Sequence, residues 1–354
     1  MNKISYKIKT PIRFFIVAII SVLVLQSCDI KMESDVCPYN TELTYWYNEE
    51  NSTTTNKISG YVNTITQYLF DENDVLYEIS DIAKTGGINS FVYRKVLPVG
   101  KYTLISWANV ENGCTHTQPQ IGVTTRGEME LYFSKLSSSI ANHHDNCELL
   151  YYARRTFSVG EYGIGRTRVD VLNAHCIVNV KATWTRGAPS ASSNFSLRMG
   201  GIPSQYSFKT EYSSLNGTGS CCAHDFTNDN YLTSCQQTLH YIPTVHESTN
   251  CIKHVVSGSF NSNSELKSSF VSYRIKDESH PMLSIYTTNG SYSDSEIQVM
   301  KEIDLYQLFE NEQVLRTTSL RQVYNVELEI DGITNEVKAF LVDVADWEDD
   351  DLYN

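Results

Sequence analysis

An all-β fold made of antiparallel sandwiches in tandem is what this sequence predicts, and three observations carry it. The 354 residues include 23 tyrosines, many threonines and few alanine-rich stretches, which favours pleated surfaces over helices. The apolar residues recur in short runs at the spacing of antiparallel strands, not in the alternation of strand and helix that βαβ units require. The chain is also longer than one ordinary sandwich, so two domains are expected.

The N-terminus stands apart from that pattern. Lys3, Lys7, Lys9 and Arg13 make a basic start, Phe14 to Leu25 form an almost unbroken apolar run, and Leu25-Gln26-Ser27-Cys28 closes it with a small residue and a cysteine. This is the layout of a signal peptide with a lipoprotein-type ending. The run fits the roughly 7–15 residues of a signal h-region and falls short of the ~20 that a spanning helix needs. Residues 1–27 are therefore expected to be removed, and residues 28–40 to form a lipidated tether beginning at Cys28. One acyl chain binds a membrane only marginally and two or more hold firmly, so a multiply acylated Cys28 suffices as the anchor. Asp29, Lys31, Glu33 and Asp35 make that segment short and charged, similar to the acidic export signals that send some lipoproteins to the outside of the outer membrane.

Charge and cysteine content narrow the partners. Of the 28 Lys and Arg, four lie in the leader, which has no acidic residue; the remaining 24 face 41 Asp and Glu, a formal charge of −17. So acidic a surface argues against nucleic acid and against anionic headgroups, and leaves membrane contact to the lipid. With Cys28 set aside, Cys37, Cys114, Cys147, Cys176, Cys221, Cys222, Cys235 and Cys251 remain. An even number permits a disulfide framework in an oxidising compartment without requiring one, because a chain of this size can bury a sufficient core unaided. The cluster Cys221, Cys222, Cys235 and Cys251 lies among Ser, Asn and Thr, where a loop gains most from cross-linking. Adjacent Cys221-Cys222 does not offer the C-x₂-C spacing of zinc ligands, so no metal is expected, and no cofactor.

In order along the chain, the expected strands are Thr41–Tyr47, Tyr61–Phe70, Phe91–Leu97, Tyr102–Ala108, Met129–Phe133, Val169–Thr183, Phe195–Arg198, Tyr206–Glu211, Leu239–Ile242, Ser269–Ile275, Met282–Thr287, Tyr324–Ile330 and Val337–Val344. One short helix is expected over Ile303–Asn311, with Leu305, Leu308 and Phe309 on one face. The glycine-rich run from Val159 to Gly165 reads as the domain boundary, giving a first sandwich over 41–164 and a second over 165–354 that ends in the acidic tail Glu348-Asp349-Asp350-Asp351. Tyr68 to Leu76 reads as strand, turn and strand. Pro98-Val99-Gly100 suits a type I turn, so Phe91–Leu97 and Tyr102–Ala108 are expected to pair as an antiparallel hairpin.

Catalytic groups are weighed against this. His143-His144-Asp145 with Cys147 has the residue types of a metal cluster, and His224-Asp225 beside Cys222 those of a base and a nucleophile. Both lie in polar stretches that read as solvated loops. No G-x-S-x-G, H-E-x-x-H or glycine-rich phosphate loop is present, and Asp71-Glu72-Asn73-Asp74 lacks the spacing of a calcium loop, so no enzyme is expected. A surface glycan-binding lipoprotein is the alternative from another class, with Tyr45, Trp46, Tyr47, Trp107 and Trp184 as stacking rings, although aromatics in strands are more often core.

One succession of motifs is specific. A strand ending in Phe70-Asp71 is followed by a turn, a strand, and then Leu97-Pro98-Val99-Gly100-Lys101-Tyr102-Thr103-Leu104, with Trp107 and Asn109 beyond. To these add Cys28, Cys37-Pro38, Leu149-Leu150-Tyr151-Tyr152, Ile303-Asp304-Leu305, Tyr324-Asn325-Val326 and Val344-Ala345-Asp346-Trp347. In that order they resemble the FimB-like fimbrial anchor family, lipoproteins of type V pili in Gram-negative anaerobes, most closely over residues 61–109. The resemblance implies two transthyretin-like β-sandwiches in a lipid-anchored subunit at the base of a pilus. It also implies fimbrial shaft or accessory subunits as partners, joined by β-strand addition, with attachment and cell adhesion as the output.

Overall fold

The computed structural model describes residues 38–47, 56–85, 90–111, 114–133, 143–144, 146–188, 194–202, 205–208, 244–246, 252–256, 265–275, 280–288, 298–311 and 322–342. The expected leader, Cys28, most of the tether, the Cys221–Cys251 cluster, His224-Asp225, the expected strand Leu239–Ile242 and the acidic tail lie outside them. The first half of the chain forms β1 (Thr41–Trp46), β2 (Ile65–Phe70), β3 (Leu76–Ile82), β4 (Lys84–Thr85), β5 (Ser90–Lys95), β6 (Gly100–Ala108), β7 (Cys114–His116), β8 (Glu130–Phe133), β9 (His143–His144), β10 (Tyr151–Val159), β11 (Gly165–Asp170) and β12 (Leu172–Asn173). The second half adds β13 (His175–Arg186), β14 (Asn194–Ile202), β15 (Gln205–Ser207), β16 (Thr244–His246), β17 (Ile252–Val256), β18 (Glu265–Tyr273), β19 (Met282–Thr288) and β20 (Gln298–Asp304). It ends with helix α1 (Leu305–Asn311), β21 (Gln322–Asp331) and β22 (Glu336–Val342). The fold is all-β, as expected.

Two sheets are built from the first half alone, ordered β11-β1-β5-β4 and β12-β10-β6-β2-β3. They share a core in which Leu43, Phe91 and Val169 of one sheet meet Ile65, Leu104 and Ala153 of the other. The second half forms β18-β13-β21-β22 and, with β9 on its edge, β20-β19-β14-β17-β9. A small fifth sheet, β16-β15-β8-β7, takes two strands from each half. Sheet β12-β10-β6-β2-β3 has two apolar faces. Along β6, Tyr102, Leu104 and Ala108 enter the first core, while Ile105 and Trp107 enter a second core shared with Cys176, Leu197 and Phe270 of the other half. One apolar interior therefore runs across the seam between the halves.

Local turn chemistry explains the hairpin over Tyr68 to Leu76, where the expected strand, turn and strand form. The Asp71 carboxylate accepts the backbone N–H groups of Asn73 at 2.9 Å and Val75 at 3.0 Å, and Asp74 takes φ +64°, a conformation asparagine and aspartate tolerate. β2 and β3 pair antiparallel from that turn.

The expected hairpin of Phe91–Leu97 with Tyr102–Ala108 does not form. β5 pairs with β1 and β4, and β6 pairs with β2 and β10, so Pro98-Val99-Gly100 arches from one sheet to the other. Both strands carry an apolar face, and the two faces meet across the first core instead of lying side by side. Asn40 fixes the arch by donating to the Leu97 carbonyl at 2.8 Å and accepting its N–H at 2.9 Å. The expected single strand Val169–Thr183 is three strands. Within it Val171 N–H bonds Trp46 O, Leu172-Asn173 pairs with Tyr152-Tyr151, and Ala174 N–H bonds Leu150 O, so the chain changes sheets twice in a few residues. Gly165–Asp170, assigned by the sequence to the second half, pairs in parallel with β1. β10 was not expected at all, because Arg154 and Arg155 interrupt its apolar pattern.

Gly201 offers a test of the packing in the second half. It sits with φ +69° at a register shift between Met199 and Ile202, the position of a β-bulge, and a Cβ there lies 2.5 Å from the His280 carbonyl oxygen. Gly122, with φ +78°, has nothing within 4 Å of the same position. Gly122→Ala is expected to cost about the left-handed penalty, ~1–2 kcal/mol, and Gly201→Ala more, because backbone must also move. Urea midpoints compare the two, and equal losses contradict the close approach of residues 201 and 280.

Candidate functional site

Two regions of this fold combine buried polar groups with contacts between distant segments. The first surrounds β1, which follows the tether. It is hydrogen-bonded on both edges, in parallel with β11 and antiparallel with β5. Glu42 lies in register with Arg94 on one side and Arg166 on the other, at 2.7 Å and 3.6 Å. The Arg94 hydrogen bond holds the Glu42 carboxyl below the usual carboxylate range, against the opposing effect of burial. On the opposite face, the Tyr45 hydroxyl donates to Gln67 Oε1 at 2.8 Å. Its single hydrogen being used, it accepts from Ser106 Oγ at 2.8 Å. Burial drives the Tyr45 phenol far above its ordinary value, so it stays neutral and pins β1 to β2 and β6.

The second region is the seam. Between β12 and β13, His175 Nδ1 donates to the Leu150 carbonyl at 2.9 Å, and its Nε2 accepts from the Asn173 side chain at 2.9 Å. The Tyr206 hydroxyl donates to Ala174 O at 2.8 Å and accepts the Arg274 N–H at 2.8 Å. The Arg274 guanidinium donates to Asn173 O at 3.1 Å, and burial holds its pKa below the ordinary arginine value. The Tyr206 ring stacks on Tyr273 at 4.2 Å and on Trp107 at 5.4 Å between ring centres. Strands from both halves therefore close on one aromatic stack whose edges carry the hydrogen bonds.

The residues singled out by sequence distribute differently. Cys28 lies outside the described residues. Tyr45, Tyr47, Trp107 and Trp184 are buried, and Trp46 is half-buried with the Arg168 guanidinium 4.3 Å from its ring centre. These five side chains do not form the exposed stacking surface that the glycan-binding alternative needs. His143-His144 pairs with Lys253-His254 of β17, while the Cys147 side chain turns into the second core. Among the described residues no group of three His, Cys, Asp or Glu could hold a metal ion, and no helix is long and apolar enough to cross a membrane. Sequence reasoning missed the seam. The available signal was a change of phase at Asn173 to His175: apolar residues alternate on 169 and 171 before it and on 176, 178, 180 and 182 after it.

Two expectations follow from these geometries. Tyr206→Phe keeps the stack and removes the hydroxyl, leaving the Arg274 N–H and Ala174 carbonyl without that partner in the interior. A loss of ~1–3 kcal/mol in unfolding free energy is expected, against no change for Tyr162→Phe, which is 91% exposed. Equal stabilities by chemical denaturation contradict the placement of Tyr206. For Glu42, the folded-state pKa is depressed, so its stabilisation is present above the unfolded carboxylate value of ~4.3 and is lost as pH falls through the folded value. Glu42→Gln should lower the Tm by about 2 °C at neutral pH, with the difference fading below pH ~4. A difference that persists in acid contradicts the ion-pair assignment.

Comparison with known proteins bears on this architecture. The fimbrial anchor protein Mfa2 from Porphyromonas gingivalis is similar, at 12% identity and a TM-score of 0.58 over 86% of this chain and 96% of that one. A candidate adhesin from Bacteroides thetaiotaomicron gives 12% and 0.58 over 87% and 98%. A candidate polysaccharide-binding protein from the same species gives 11% and 0.57 over 87% and 99%. These likenesses establish the fold. No curated protein matches the sequence. The sequence profile of the fimbrillin-A associated anchor proteins Mfa1 and Mfa2 matches residues 33–348, most of the chain and both of its cores, and the chain belongs to that family.

Proposed function

We propose that this chain is the lipid-held subunit at the base of a fimbrium, fixed to the outer membrane by acyl chains on Cys28 and facing outward. Membership of the anchor family makes it a fimbrial protein of the cell surface or envelope, in a family that is structural and not enzymatic. The observation that carries the finer reading is the position of β1. Thr41 follows Cys28 by 13 residues, a tether of at most about 45 Å. Force arriving through it acts along a strand bonded on both edges, so the ladder bonds are loaded together in shear and do not peel one at a time. A strand on a sheet edge would be the weaker choice. Resistance to forced unfolding is set by the unfolding barrier, which such a geometry raises.

On this reading the two halves are transthyretin-like sandwiches, with β11 and β12 completing the first because of their pairing to β1 and β10. The fimbrial neighbour joins by β-strand addition at a sheet edge, where backbone groups supply the affinity. The net charge of −17 after removal of 1–27, from 24 basic against 41 acidic residues, keeps the body off anionic headgroups and leaves retention to the lipid.

Replacing the chain by Cys28→Ser in a fimbriated host tests this. Loss of metabolic fatty-acid label, together with fimbriae shed into the medium, is the expected result. Label that persists places the lipid elsewhere, and fimbriae retained at normal number and length remove the base-anchor role.

A further inference from the structure

We propose that Cys114 and Cys147 form a disulfide in the native protein, a covalent staple on the seam between the two halves. Cys114 opens β7 in the sheet that takes strands from both halves, and it is 2% exposed. Cys147 is 5% exposed and lies just after β9, whose partner is β17 of the second half; its N–H donates to the Val271 carbonyl of β18 at 3.1 Å. Both are free thiols in this structure, and both fasten to one stretch of β18: the Tyr273 hydroxyl donates to the Cys114 sulfur at 3.6 Å, two residues along the strand from the Val271 carbonyl that holds Cys147. They share the second core, and each lies within electrostatic reach of the other. Two neighbouring thiols in a protein of the cell surface or envelope meet the first requirement of a disulfide. Cys176 makes the contrast. It is also buried, but its sulfur rests against the Ile275 backbone near Arg274, and burial pushes its thiol up to about 12. It is expected to stay reduced.

The chemistry fixes the timing. The thiolate is the attacking species, and burial in the finished core raises the Cys147 thiol well above its ordinary value, so the bond forms before this core closes. The oxidant is a disulfide-bearing thiol oxidase of the envelope. One cysteine thiolate attacks its disulfide to give a mixed disulfide and releases one catalyst thiol. The second cysteine then attacks the mixed disulfide, the Sγ–Sγ bond forms, and the catalyst leaves as a dithiol carrying the two electrons and two protons lost by the pair. Once folded, the bond is shielded from reductants by the same burial. It closes the loop from 114 to 147, which carries β8 and β9, and so restrains the unfolded chain at the point where the halves meet.

The full chain, isolated from its native envelope, quenched in acid, denatured and alkylated, gives the direct test. Tryptic cleavage after Arg126 and Lys135 puts Cys114 and Cys147 on separate peptides, and cleavage after Arg168 and Lys181 isolates Cys176. The expected product is a linked pair of the first two peptides, lighter by two hydrogens than their reduced sum, with Cys176 alkylated. Alkylation of both, or linkage of either to a third cysteine, overturns the proposal. A second measurement removes the bond without changing packing: protein reduced while unfolded and refolded under reductant should melt ~5–10 °C below the untreated protein. Equal melting temperatures also overturn it. Free thiols would leave the fimbrial reading intact, since that reading rests on Cys28 and β1.

Discussion

The end of sheet β12-β10-β6-β2-β3 that carries Leu104–Ala108 of β6 and Tyr151–Ala153 of β10 is buried on both faces, and the rest of the molecule is arranged around that constraint. A strand with one solvated face can alternate apolar and polar residues; a strand covered on both sides cannot. β6 shows the result, with every residue from Leu104 to Ala108 buried. Trp107 and Tyr152 project to one side, their ring centres 4.8 Å apart, while Leu104 and Ala108 project to the other. Fully buried aromatics of this size each remove roughly 150–250 Å² from water. The same constraint makes a polar group in this layer costly unless it finds a partner. Ser106 and Gln67 are buried, and each has its bond to the Tyr45 hydroxyl reaching over from the opposite sheet.

What could be read from the sequence and what could not divides along the range of the cause. The strand-rich composition, the turn at Asp71, the short helix, expected over 303–311 and found over 305–311 because Ile303 and Asp304 end β20, and the order of motifs that points to the anchor family are set within a few residues, and the structure and the family agree. Which sheet a strand joins is not set locally. β5 and β6 are adjacent in sequence, carry matching apolar faces and a suitable turn, yet they bury more by facing each other than by pairing. The run from Val169 to Thr183 looks continuous because each of its three strands carries an apolar face, and a change of phase at Asn173 to His175 marks the crossing. Cys114 lies in the fifth sheet and Cys147 is bonded to β18, so long-range packing brings them to the same core and no spacing rule singles them out from eight cysteines.

Polar residues at the seam act differently from those on the surface. Strands that end inside the molecule leave carbonyls with no ladder partner, and a backbone group without a partner in the interior is costly. Tyr206 and Arg274 satisfy the carbonyls of Ala174 and Asn173, and His175 adds a second donor to the Leu150 carbonyl that already accepts the Ala174 N–H. The guanidinium is expensive to bury, and its cost is offset by the carbonyl it satisfies and by the directionality it adds. An apolar seam alone could slide or repack. With these bonds in place, any shift of β15 against β12 breaks the hydrogen bonds of Tyr206 and separates its ring from both Tyr273 and Trp107. The seam therefore has one favoured arrangement.

That single arrangement bears on how a fimbrial anchor carries load. Domains joined by a flexible linker and a small polar interface move relative to each other by default. Here only Val171 and Ala174 lie outside the strands that run from β11 through β12 into β13, and both make backbone hydrogen bonds to the first half. On the proposed anchoring, tension entering β1 would pass sideways into β11 and β5 through the ladder, across the core to β2 and β6 through Tyr45, and along the chain into β13. β13 in turn lies inside its own sheet, between β18 and β21. At both ends of this route the strand is bonded on two edges, and between them lie two apolar cores on the opposite faces of sheet β12-β10-β6-β2-β3. The first half therefore cannot stretch away from the second without exposing Trp107, Tyr206 and Tyr273 to water. Hydrophobic burial, and not a hinge, sets the mechanical limit of the joint.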